Sequence, residues 1–252
     1  MLYDAIFQFI DSVPTLTFLF GFSIFYMILF GFLYLILLES KIFASSTSVR
    51  QTYILCKIMN GLVRLFLVYV AIMALWRKDI HMFNTGSHQQ TPQIMINLST
   101  MYTWRVFIEL FLYRKNAKST IIHHVCVIVA YIYVISVLTE DYNVEGIFKN
   151  FIGYAGFTTF LIALDPYCAF RFFIDKNGRF NYMFKRFALI NQLMYFICNY
   201  SWQIFYIIKL LFHKSAKSSS PLILLAYGIF YFLLMAGWIQ EEFVIIKYFW
   251  NL

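Results

Sequence analysis

Apolar residues run along this chain in blocks too long for strands, with polar stretches only between them. Seven such blocks are read, at roughly 15–38, 52–76, 95–113, 121–138, 150–173, 186–211 and 221–247. A helix needs about 20 apolar residues to cross the ~30 Å hydrocarbon core of a bilayer, so each block is sized for one crossing. The third is interrupted by Arg105 and Glu109. The fifth contains Asp165-Pro166, which is expected to kink or break it, because proline removes a helical N–H and clashes with the preceding turn. The pattern predicts an all-α integral membrane protein of about seven transmembrane helices. No internal repeat is visible, and the Ser-rich stretch 215–220 reads as a short loop.

Composition agrees with the pattern. The 252 residues are 62% hydrophobic and 13% charged, which leaves little room for a soluble domain. Asp4 and Asp11 lie ahead of the first block with no basic residue, which argues against a secretory signal or an Arg-rich presequence. Cys56, Cys126, Cys168 and Cys198 sit inside apolar blocks without metal-type spacing and read as small core residues. The net charge of +8 lies in loops without a base-stacking pattern, which points to anionic lipid headgroups and away from nucleic acid.

Loop charge predicts the orientation. With seven spans, one side carries Lys41, Arg50, Arg114, Lys115, Lys118, Arg171, Lys176, Arg179, Lys185, Arg186 and Lys247. The other carries Arg77, Lys78, Lys149, Lys209, Lys214 and Lys217. The richer side is expected to face the cytosol or matrix, with the N-terminus outside and the C-terminus inside.

The polar residues within the blocks are the candidates for chemistry. Lys57 and Arg64, seven residues apart, share one helix face. Each would cost about 2.5–3.5 kcal/mol at the bilayer centre, so the face is expected to meet a cavity, a partner or a headgroup, or Lys57 to snorkel from the helix end. Arg105 and Glu109, at i and i+4, are expected to pair with each other. Asp165 is expected to cap a broken half-helix. Asn60, Asn191, Gln192, Asn199 and Gln203 read as interhelical hydrogen-bonding amides. Glu241 and Glu242 read as interfacial charge.

The densest signal is Tyr113-Arg114-Lys115-Asn116-Ala117-Lys118 running into Ile121-Ile122-His123-His124-Val125. A basic loop leads into a helix that opens on two histidines. With Met101-Tyr102-Thr103-Trp104 ahead of the loop, Thr158-Thr159-Phe160-Leu161 and Asn191-Gln192-Leu193, this resembles the TLC-domain family of ceramide synthases and lipid-linked TLC-domain proteins. The resemblance implies a six-helix bundle around a lipid-accessible cavity over residues 45–252, behind one N-terminal transmembrane helix in residues 1–44. The histidine pair is also similar to the HxxHH signature of very-long-chain fatty acid elongases, with Thr120 at the first histidine. Glu109 stands where elongases carry a glutamate ahead of that signature.

The resemblance makes His123 and His124, with Glu109, the catalytic candidates of an acyl-CoA-dependent acyltransferase. Arg114, Lys115 and Lys118 would meet the phosphates, and Arg64 a lipid headgroup. A working histidine base needs an orienting group. The chain departs from the family's acids: Arg105 stands where an acidic residue is common, 153–159 holds no ionisable acid or base, and Gly156 replaces a glutamate. The expectation is a TLC-like protein without the family's full catalytic set. It would need no cofactor and would act as a lipid-binding or structural subunit of a larger membrane complex in the mitochondrial inner membrane or endoplasmic reticulum. Its partners would be membrane lipids and other membrane-protein subunits. The alternative is an acyltransferase of the endoplasmic reticulum using acyl-CoA. No metal is expected, because adjacent histidines point to different faces.

Overall fold

The computed structural model describes residues 2–76, 93–112, 118–138, 163–176, 178–212, 239 and 243–250, and these are helical without a strand among them. In chain order they form α1 (Leu2–Ser12), α2 (Thr15–Leu38), α3 (Lys41–Ala44), α4 (Ser48–Trp76), α5 (Gln93–Leu112), α6 (Lys118–Leu138), α7 (Leu164–Phe170) and α8 (Arg179–Phe212), followed by helical residues 243–250. Two helical stretches, Thr15–Leu38 and Ser48–Val70, are long and apolar enough to cross a membrane.

Helix α2 is apolar on every side. Its 24 residues reach about 36 Å, enough for the hydrocarbon core. Tyr26 is its one buried residue, while Phe20, Phe25, Ile28, Phe32 and Leu35 face outward. A surface of that kind suits lipid rather than water.

Helix α1 lies outside the seven apolar blocks, and its reason is tertiary. The Asn97 amide of α5 donates to the carbonyls of Ile10 (2.6 Å) and Val13 (2.8 Å), satisfying groups left open where α1 ends. In return Asp11 accepts from the Ile94 backbone N–H at 2.9 Å, capping the start of α5. Gln93 donates to Thr15 at 2.6 Å and closes the corner. Two helix ends thus satisfy each other where no water is needed.

Helix α7 begins at Leu164, so Pro166 stands in its first turn, where the missing N–H has no intrahelical partner to lose. The Asp165-Pro166 step therefore starts the described helix; what precedes residue 163 lies outside the described residues. The pyrrolidine ring lies against Gly61 of α4, and a Cβ at that glycine would meet Pro166 Cγ and Cδ at 3.5 Å. Around this contact Phe43, Ile54, Leu55 and Ala169 form one apolar cluster. Leu164, Tyr167, Ala188, Leu189, Tyr195 and Phe249 form another, tying α7, α8 and residues 243–250 together.

Helix α8 inverts the pattern of a soluble helix. Gln192, Tyr195, Asn199 and Gln203 make an inward polar stripe at i, i+3, i+7 and i+11, whereas Ile190, Met194, Ile197, Ile204 and Ile208 face out. The stripe corrects the expectation of interhelical amides in part. Asn191 donates to Phe187 O (3.2 Å), Asn199 to the Tyr195 hydroxyl (3.3 Å) and Gln203 to Asn199 (3.2 Å), all within α8.

The element ends sort into two groups. One holds the end of α1 and the starts of α2 and α5. The other holds the start of α4, the end of α7 and residue 248: Arg50 and Arg171 share the Phe172 ring, and Arg171 donates to the Tyr248 hydroxyl at 2.7 Å.

Candidate functional site

Helices α4, α5 and α7 bring five charged or amide side chains to one buried place. Lys57, Asn60 and Arg64 recur at i, i+3 and i+7 on α4, on the same side as Gly61, so the close approach of Pro166 carries Asp165 to them. Arg64 Nη1 lies 2.6 Å from Asp165 Oδ2. Lys57 Nζ lies 2.9 Å from Glu109 Oε1 and 3.7 Å from Asp165 Oδ1, bridging the two carboxylates. Asn60 Nδ2 donates to the other Glu109 oxygen at 2.8 Å. At 1.5 Å per residue, Lys57 is about 14 Å and Arg64 about 24 Å from the start of α4, a depth at which an unpaired charge would be costly.

Three sequence expectations are corrected. Glu109 pairs with Lys57 and Asn60, not with Arg105, because α4 lies beside α5 and its ammonium reaches the carboxylate across the interface. Asp165 makes no side-chain cap on α7 but neutralises Arg64 and Lys57. Lys57 does not snorkel outward; it points between two carboxylates. Arg64 Nη1 is engaged by Asp165 in the same way.

The histidine pair divides. His124 is buried on α6, within electrostatic reach of Glu109, Lys57, Arg105 and Arg64. His123 belongs to α6, but its side chain lies outside the described residues, as does that of Lys118. Arg114 and Lys115 lie outside them altogether. The structure therefore joins Glu109 and Arg64 around one centre with Lys57, Asn60 and Asp165, and leaves buried His124 within their electrostatic field. Helices α5 and α6 are further joined by a short hydrogen bond between the Thr100 and Tyr131 hydroxyls.

Sequence reasoning missed Tyr26. It is fully buried on α2, and its hydroxyl has no hydrogen-bond partner among the described residues. It lies within the field of Arg105, Glu109 and Lys57. The available signal was its position: a tyrosine near the middle of a span, not at the interface where such residues gather. Arg105 is 3% exposed, with its guanidinium carbon 4.9 Å from the centre of the Tyr102 ring.

No group of three or more His, Cys, Asp or Glu positioned to hold a metal occurs among the described residues, and all four cysteines are free. Chemically the centre is an ion-paired network of Lys57, Arg64, Glu109 and Asp165 with a buried imidazole in its field. Comparison with known proteins adds no assignment: no family model, curated protein or solved structure matches the chain.

Proposed function

We propose that this chain is a TLC-like membrane protein of about seven spans, one N-terminal helix ahead of a six-helix bundle. In this reading it acts as a lipid-binding or structural subunit of a larger membrane complex in the mitochondrial inner membrane or endoplasmic reticulum. The observation that carries the reading is the engagement of Glu109. Both oxygens of the Glu109 carboxylate are engaged, by Lys57 at 2.9 Å and Asn60 at 2.8 Å. A carboxylate that compensates a buried ammonium is poorly suited to orient a histidine base, because withdrawing it would strand the cation. The inverted polarity of α8 supports the membrane bundle. The grouping of Arg50, Arg171 and Tyr248 at one end supports a shared basic side for the first and third inner loops and the C-terminus.

The acyl-CoA-dependent acyltransferase remains the second reading, favoured by the placement of His124 in the field of Glu109. Purification in gentle detergent, with mass spectrometry of co-migrating proteins and lipids, separates the two. Stoichiometric protein partners, unchanged by His123→Ala and His124→Ala, are the expected result. Acyl transfer from acyl-CoA that disappears in either histidine variant would overturn the subunit reading.

A further inference from the structure

Among the described residues, cations outnumber carboxylates in the buried centre. Lys57, Arg64 and Arg105 are cations; Glu109 and Asp165 are the carboxylates that face them. Both carboxylates are taken, which leaves Arg105. It forms no ion pair among the described residues, and its buried Nε has no hydrogen-bond partner there. The Tyr102 ring below it restores only a small part of the hydration lost on burial. The nearby Tyr26 hydroxyl is likewise buried and unpartnered among the described residues. A guanidinium with five N–H donors on α5 and a phenol O–H on the adjoining α2 are thus both buried and short of acceptors among the described residues.

We propose that Arg105 and Tyr26 hold the singly charged oxyanion headgroup of a membrane lipid. One negative charge neutralises the surplus, and the planar guanidinium fork matches two oxygens of a phosphodiester. A lipid fits better than free phosphate because Tyr26 belongs to α2, whose exposed side chains, Phe20, Phe25, Ile28, Phe32 and Leu35 among them, are apolar. The site thus lies one helix away from the hydrocarbon, where an acyl chain rests without cost and a hydrated ion does not.

This inference rests on the lipid-binding reading above and deepens it. The test uses the full chain, delipidated in detergent, titrated with phosphatidylglycerol, phosphatidylcholine or inorganic phosphate and followed by thermal unfolding and native mass spectrometry. Wild type is expected to bind phosphatidylglycerol about tenfold more tightly than phosphatidylcholine, the weight of one charge-assisted contact. Arg105→Met removes the preference, Arg105→Lys, which keeps the charge but not the fork, retains only part of it, and Tyr26→Phe weakens phosphatidylglycerol binding while leaving the fold intact. Equal affinity for the two lipids in wild type overturns the proposal, as does an undiminished preference in both Arg105→Met and Tyr26→Phe. Binding of inorganic phosphate in place of the lipid overturns it too. If Arg105→Met does not fold, Arg105→Lys and Tyr26→Phe carry the decision. Loss of the lipid preference with protein partners retained would sink this inference alone. His124-dependent acyl transfer with the preference intact would sink the subunit reading alone.

Discussion

At the scale of single residues, Lys57 decides the state of the buried centre. It bridges Glu109 and Asp165, so its removal leaves a carboxylate without its nearest cation. Lys57→Met is expected to destabilise the protein by about 3 kcal/mol, the low end for a buried pair because 22% of the lysine side chain remains exposed. The double variant Lys57→Met/Glu109→Gln should recover a large part of that loss, since it strands no charge. Thermal unfolding of the four proteins in detergent checks this, and strictly additive effects would refute the pairing. The residues themselves were legible: Lys57, Arg64, Arg105, Glu109 and Asp165 stand out as charges inside apolar blocks. Their partners were not. Spacing along one helix suggested Arg105 with Glu109, but an i, i+4 pair competes with any residue brought in from a neighbouring helix, and here α4 supplies a lysine and an amide.

At the scale of elements, α5 is the hub, touching α1, α2, α4 and α6. Its start is held by reciprocal capping with α1. Asn97→Ala removes two hydrogen bonds from buried carbonyls and should cost about 1–3 kcal/mol, releasing α1 before the rest unfolds. Faster hydrogen exchange confined to residues 2–12 is the measurement; protection equal to wild type would show that the caps do not hold α1. The α4–α7 contact makes a second prediction. Gly61→Ala is expected to be nearly neutral, since its Cβ would meet Pro166 at ordinary contact distance. Gly61→Leu has no such room and should cost about 1–3 kcal/mol by moving Asp165 away from Arg64. Equal unfolding temperatures for the two variants would contradict this packing. Element positions were well read from apolar runs: the first block has the bounds of α2, and the second, third and fourth differ from their helices by a few residues at the start. The misses were the short α3, the first seven residues of α8 ahead of the sixth block, and α1, whose apolar content is modest and whose end is satisfied by a distant asparagine.

At the scale of the whole molecule, polarity is arranged inside out. Charges and amides gather between α4, α5, α7 and α8, while Phe, Ile and Leu side chains of α2, α4 and α8 cover the outside. The grouping of Arg50, Arg171 and Tyr248 at one end, opposite the Asp11–Ile94 corner, carries a topology prediction. In sealed vesicles, a tag inserted after Ser46 and a C-terminal tag should be cut by protease from the same side, and an N-terminal tag from the other. Cleavage of all three from one side would refute the orientation.

The chain by itself determined helices, their approximate bounds and runs long and apolar enough to cross a membrane, because hydrophobic length and period are local properties. It also marked the charged residues that needed an explanation. Only the tertiary structure decided which charge meets which, that Tyr26 turns inward, and that Arg105 has no ion pair among the described residues. Those outcomes depend on which helices become neighbours, through contacts such as Gly61 on Pro166 that join residues far apart in sequence. In a low-dielectric interior the nearest partner across such a contact outweighs any pairing suggested by spacing along a single helix.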